Sequence, residues 1–99
     1  MIFDDVILNQ LKEAAKNQHI KSILTKMLDH IEEVGPNAGK LLDSKHFLYE
    51  VKYKHPPMRL YFKPKVNSNE IYIFEFEMKT SEKKQQKTIT KLNKKILES

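Results

Sequence analysis

The strongest constraint in this 99-residue chain is a change of hydrophobic period across Gly35-Pro36. Before that pair, Ile20, Ile23, Leu24, Met27, Leu28, Ile31 and Val34 recur at the three-and-four spacing of one helix face. After it, residues alternate with period two. Phe47, Tyr49, Val51 and Tyr53 fall on one side, and His46, Leu48, Glu50, Lys52 and Lys54 on the other. A glycine just past a helix accepts positive φ, and a proline cannot continue the hydrogen-bond ladder, so the helix is predicted to stop there. A chain that switches period in this way is α+β.

The rest of the chain fills in that layout. A first helix is predicted from Asp4 or Asp5, with Val6, Ile7, Leu11, Ala14 and Ala15 at helical spacing and acids at the end where the helix dipole favours them. Residues 37–44 read as a loop. His55-Pro56-Pro57 breaks the first strand, and 58–63 resumes the alternation antiparallel to it, with Leu60 and Phe62 opposite Arg59, Tyr61 and Lys63. Asn67-Ser68-Asn69 supplies turn chemistry before a third strand over 71–78. Strict alternation there puts Tyr72, Phe74, Phe76 and Met78 on one face and Ile71, Ile73, Glu75, Glu77 and Lys79 on the other. Thr80 or Ser81 caps a final helix whose apolar anchors are Ile89, Leu92, Ile96 and Leu97. The expected fold is a single domain over 1–99. Two N-terminal helices pack on the aromatic side of a small antiparallel three- or four-stranded sheet, a C-terminal helix is added, and the other sheet face is left partly polar.

Composition narrows the function classes. Without cysteine there is no disulfide framework, thiolate zinc site or cysteine nucleophile. No stretch has the ~20 apolar residues of a spanning helix or the pattern of an export signal, so the expected location is the cytoplasm, away from membranes. The net charge of +5 is unevenly placed: residues 1–44 carry five Lys against seven acids, and residues 45–99 carry twelve Lys and one Arg against six. A C-terminal half of net +7 suits an anionic partner, and equally a lysine-rich surface kept soluble.

The candidate chemistry concentrates on the first two strands, where Lys52 and Lys54 lie across from Arg59, Tyr61 and Lys63. Lysine meets phosphate as a point charge, arginine meets it bidentately, and tyrosine offers a stacking face. The alternative is a solvated sheet face with cross-strand ion pairs. Lys83, Lys87, Lys91 and Lys95 step by four along the last helix, as a phosphate-binding stripe or a solvated face. The four histidines, His19, His30, His46 and His55, show no metal-ligand spacing, and His55 beside Lys54 is the best placed as an acid or base. No phosphate-cradling glycine loop and no nucleophile elbow is present.

Taken in order, several segments carry a family likeness: Leu28-Asp29-His30-Ile31-Glu32-Glu33-Val34-Gly35, then Lys40-Leu41-Leu42, Phe47-Leu48-Tyr49-Glu50-Val51-Lys52, Met58-Arg59-Leu60-Tyr61-Phe62, and 71–80 with Phe76, Lys79 and Thr80 in matching positions. This succession resembles the RelE/HigB-like toxins of toxin–antitoxin modules, particularly their phage-derived branch. The resemblance implies a RelE-like fold and a metal-independent endoribonuclease that cleaves mRNA on the ribosome, the RNA 2′-hydroxyl being the nucleophile. Its partners would be mRNA, the ribosome and a cognate antitoxin, with no cofactor. Arg59 would hold the scissile phosphate, Lys52 would be a second phosphate ligand and Lys79 would lie beside the same cleft. Lys54, Tyr61, Lys63, Lys83 and Lys84 would contact RNA; on chemical grounds, and not by a matching motif position, His55 or Tyr61 is the candidate acid or base. The sequence departs from the family at Met78, where a lysine is expected, and in having no His or Tyr near the end of the last strand. Those departures leave open a non-catalytic member that inhibits a protein target, or that binds only RNA and antitoxin.

Overall fold

A computed structural model describes residues 1–65, 68–78 and 81–98. The elements follow in the order β1 (Ile2–Phe3), α1 (Asp5–Ala14), α2 (Gln18–Val34), β2 (Lys40–Asp43), β3 (Leu48–Lys54), β4 (Pro57–Pro64), β5 (Ile71–Met78) and α3 (Glu82–Glu98). Both N-terminal helices begin on side-chain caps. Asp4 Oδ2 accepts from the Val6 N–H at 3.0 Å, and Asn17 Oδ1 accepts from the His19 and Ile20 N–H groups at 3.1 and 3.3 Å. The second helix ends at Gly35, whose φ of 64° is the conformation that favours glycine, and a short 3-10 turn, Gly35–Ala38, follows.

The sheet is larger and less uniform than expected. Among the described residues it has five strands in the order β1-β5-β4-β3-β2, with β1 parallel to β5 and the other pairs antiparallel. The predicted loop over 37–44 is in part a strand, because Lys40–Asp43 pairs with β3. Four residues on a sheet edge, half of them exposed, are too few to show a period. Gly39 makes this approach feasible: a Cβ there would lie 2.3 Å from the Glu50 carbonyl oxygen and 2.8 Å from the Phe62 ring. Phe47 has φ 54° and lies before β3, exposed at the hairpin, so it does not share the strand face with Tyr49.

A β-bulge corrects the predicted faces of β5. Tyr61 pairs with Glu75 while Phe62 pairs with Ile73, so Phe74 is the extra residue and the alternation reverses around it. Ile71, Ile73 and Phe76 therefore pack beneath α1 and α2, with Ile7, Ile23, Leu24, Met27, Ile31, Leu60 and Phe62. Tyr72 and Phe74 turn to the opposite face, together with Glu75 and Glu77. The helices are likewise divided between the two faces. Only α1 and α2 cover the expected aromatic side, whereas α3 lies across the other one, burying Leu92 against Leu48, Tyr61 and Phe74.

Where β1 stops, the edge of β5 is closed by a side chain: Gln10 Nε2 donates to the Phe76 carbonyl at 2.8 Å, and the Phe76 N–H donates to Gln10 Oε1 at 2.9 Å. One amide thereby stands in for a missing strand residue. Among the described residues no helix is long and apolar enough to cross a membrane.

Candidate functional site

The cationic residues singled out on β3 and β4 come together at one end of the sheet. Lys52 and Arg59 are direct cross-strand partners, Lys54 faces Pro57, and the His55-Pro56 turn joins the strands. Lys52, Tyr53, Lys54, Pro57, Met58 and Arg59 line a small cleft of about 180 Å³. Lys52, Lys54 and His55 are exposed and Arg59 is half-buried, so this edge presents three cations to solvent or to a polyanion.

The residue that organises this edge is Glu50. Its side chain is 1% exposed, with Oε1 3.3 Å from Lys52 Nζ and Oε2 3.6 Å from Arg59 Nε. Oε2 also accepts from Gln85 Nε2 of α3 at 3.1 Å. A carboxylate buried this deeply persists only when paired and hydrogen-bonded, and here three elements supply the partners. The pairing holds Arg59 in place and offsets part of its charge. Sequence reasoning misses this residue: Glu50 shares a strand face with the apolar Leu48, but nothing in the sequence shows that α3 covers that face.

Tyr61 does not belong to the exposed surface, contrary to expectation. It is fully buried beneath α3 and its hydroxyl donates to Glu77 Oε1. Burial, the hydrogen bond to Glu77 and the nearby charges of Glu77 and Glu50 push the phenol far above its ordinary value, despite the opposing charge of Arg59. Such a phenol neither stacks on a base nor exchanges a proton near neutral pH. Lys63 is placed further along β4, with Nζ 5.5 Å from the Phe47 ring centroid.

The face beneath α3 is a row of acids, each met by a polar side chain of that helix. Besides Gln85 on Glu50, Thr88 Oγ1 donates to Glu77 Oε2 at 2.8 Å, Lys91 Nζ lies 2.9 Å from Glu75 Oε1, and Lys95 Nζ lies 2.7 Å from Asp4 Oδ2. Asn93 Nδ2 donates to Asp43 Oδ2 at 2.8 Å, tying α3 to the β2–β3 hairpin. Burial works to raise the Asp4 carboxyl, but the bonds from Lys95, Tyr72 and the Val6 N–H outweigh it and hold the group below the usual aspartate value. The predicted basic stripe is therefore divided, because Lys91 and Lys95 are engaged with sheet carboxylates while Lys83 and Lys87 remain exposed. Lys83 and Lys84 lie exposed in the first turn of α3, capped by Ser81, whose Oγ accepts from the Lys84 N–H at 3.2 Å.

Lys79, Thr80 and Asn67 lie outside the described residues. Met78, in place of the expected lysine, is exposed at the end of β5 and pairs with Met58. Among the described residues no three His, Asp or Glu side chains gather where they could share a metal ion. The arrangement at the β3–β4 end suits it to hold an anionic oxygen between Arg59 and Lys52, with Glu50 fixing the geometry.

No family model and no curated protein matches the sequence. Two solved structures share the architecture. One is the isolated E. coli RelE toxin, with a TM-score of 0.68 and 15% identity over 92% of this chain and 95% of that one. The other is a chain of the intact E. coli RelBE toxin-antitoxin complex, with a TM-score of 0.66 and 17% identity over 81% of this chain and 95% of that one. Helices, mixed sheet and these superpositions together assign the chain a RelE-like fold.

Proposed function

We propose that this protein is the toxin of a toxin–antitoxin pair and acts as a metal-independent endoribonuclease on mRNA at the ribosome, in the cytoplasm. The observation that carries the reading is the Arg59–Lys52 pair at the open end of a RelE-like sheet, held by the buried Glu50. In the proposed reaction the RNA 2′-oxygen attacks the adjacent phosphorus and the 5′-oxygen of the next nucleotide leaves. Arg59 holds the phosphate, Lys52 is its second ligand, and both stabilise the charge that grows on the non-bridging oxygens. Lys54, the half-buried Lys63 and the exposed Lys83 and Lys84 steer the strand, Lys79 adds a contact from the residue after Met78, and His55 in the turn moves protons. The family likeness within the sequence points to the HigB-like branch. The partner is a cognate antitoxin, in line with the neighbour that was solved with one.

A second reading has its own support. Glu50 offsets the charge of both principal cations, and Met78 replaces a further one, which favours a member that binds RNA or a protein target without cutting. Induction in a bacterial host, with primer extension on an abundant mRNA, separates the two. Wild type is expected to arrest growth and leave discrete cuts in translated frames, and folded Arg59→Ala and Lys52→Ala/Lys54→Ala variants to leave none. Arrest with intact mRNA overturns the nuclease reading in favour of a protein target.

A further inference from the structure

The far end of the sheet holds a second cationic site. Lys63, Lys65, Tyr72, Phe74, Lys95 and Ile96 line a cleft of about 350 Å³ between the ends of β4 and β5 and the last turns of α3. Lys63 and Tyr72 are direct partners across β4 and β5, and the Tyr72 and Phe74 rings lie 4.9 Å apart at 57°. Lys63 is four positions along β4 from Arg59, about 13 Å at strand rise, so the cleft is distinct from the Arg59 edge.

Its chemistry differs from that of the rest of the α3 face. Lys91 meets a carboxylate, but among the described residues no carboxylate lies within ion-pair distance of Lys63 or Lys65. Asp4, which touches two residues of the lining, is already matched by Lys95 at 2.7 Å and by the Tyr72 hydroxyl at 2.7 Å. Glu70, next to β5, faces the Met1 amino group. Counting three lysines against Asp4 among the described residues gives the cleft a formal charge of +2 over an aromatic and aliphatic floor. The Tyr72 phenol, pushed up to about 12 by burial and by Asp4, stays neutral and adds no competing negative charge. A volume near the small end of the ~300–1,000 Å³ usual for ligand sites admits one nucleotide and excludes a duplex or a folded chain.

We propose that this cleft binds a single nucleoside monophosphate unit, with the base against Tyr72, Phe74 and Ile96 and the phosphate between Lys63 and Lys65. The unit is either a free nucleotide or the 5′-phosphorylated end of a strand. Base–aromatic stacking and a pair of lysines that meet no carboxylate among the described residues supply complementary halves of the affinity. The proposal stands independently of RNA cleavage at Arg59.

Amide NMR titration of the full chain with adenosine 5′-monophosphate tests it, with adenosine and inorganic phosphate as partial ligands. The expected result is saturable shifts at Lys63, Lys65, Tyr72 and Phe74, with each partial ligand binding at least tenfold more weakly. Lys63→Glu/Lys65→Glu should weaken binding at least tenfold, and the milder Lys63→Gln/Lys65→Gln should do so partially with the spectrum otherwise unchanged. Competition by a 5′-phosphorylated trinucleotide identifies the strand-end form, and its absence the free nucleotide. Shifts confined to Lys52–Arg59, phosphate binding as tightly as the nucleotide, or no saturable shift would overturn the proposal.

Discussion

The two faces of the sheet are covered by helices in opposite ways. Beneath α1 and α2 the contacts are apolar almost throughout, from Ile7, Leu24 and Ile31 on the helices to Leu60, Phe62 and Ile73 on the strands. Beneath α3 a smaller apolar cluster, Leu48, Tyr61, Phe74 and Leu92, is surrounded by Glu50, Glu75, Glu77 and Asp4, each matched by a helix side chain. Apolar burial involves no charge that salt can screen or a proton can remove, whereas carboxylate pairing depends on both. The difference assigns stability to the first face, and to the second a cover whose hold depends on solution conditions.

The comparison is broken most severely from the apolar side. Phe62→Ala should cost about 3–5 kcal/mol and lower the global denaturation midpoint. Leu92→Ala, at about 2–3 kcal/mol, should show first as lost amide protection in α3. Gly39→Ala forces a methyl into the Glu50 carbonyl and should cost about 1–3 kcal/mol by thermal melting. Tyr61→Phe leaves Glu77 with Thr88 as its partner and should cost about 1–2 kcal/mol, without a change in RNA affinity.

Acid should loosen α3 before the rest. The Asp4 carboxyl is lowered in the fold, so its contribution is complete above the unfolded value near pH 4 and is lost as pH falls through the lower folded value. Hydrogen exchange as a function of pH should therefore show protection around Lys95 falling below about pH 4 while α2 stays protected. Equal loss in both helices would contradict the division of roles.

Helix α2, its stop at Gly35 and the strands β3 to β5 were legible in the sequence because each carries a long enough period. The edge strands were not, as two and four residues carry none. The bulge at Phe74 was also hidden: strict alternation assigned Phe76 to the face of Tyr72, and only the cross-strand register shows the reversal. For the site, the cations Lys52, Lys54 and Arg59 could be read directly from the chain. The burial of Tyr61 and the pairing of Glu50 could not, since both follow from α3 crossing a face that looked solvated.

The central claim is that an RNA strand is recognised through Lys52 and Arg59 at the β3–β4 edge and not through Tyr61, which lies buried beneath α3. Binding of a fluorescent single-stranded RNA across a salt series, for wild type, Arg59→Ala, Glu50→Gln and Tyr61→Phe, tests it most directly. Arg59→Ala should make the slope of log K against log salt shallower by roughly 0.7, the value of one phosphate contact. Glu50→Gln should tighten binding roughly threefold to tenfold by removing the competing carboxylate, and Tyr61→Phe should leave both affinity and slope unchanged. A wild-type slope in Arg59→Ala, together with lost affinity in Tyr61→Phe, would contradict the account.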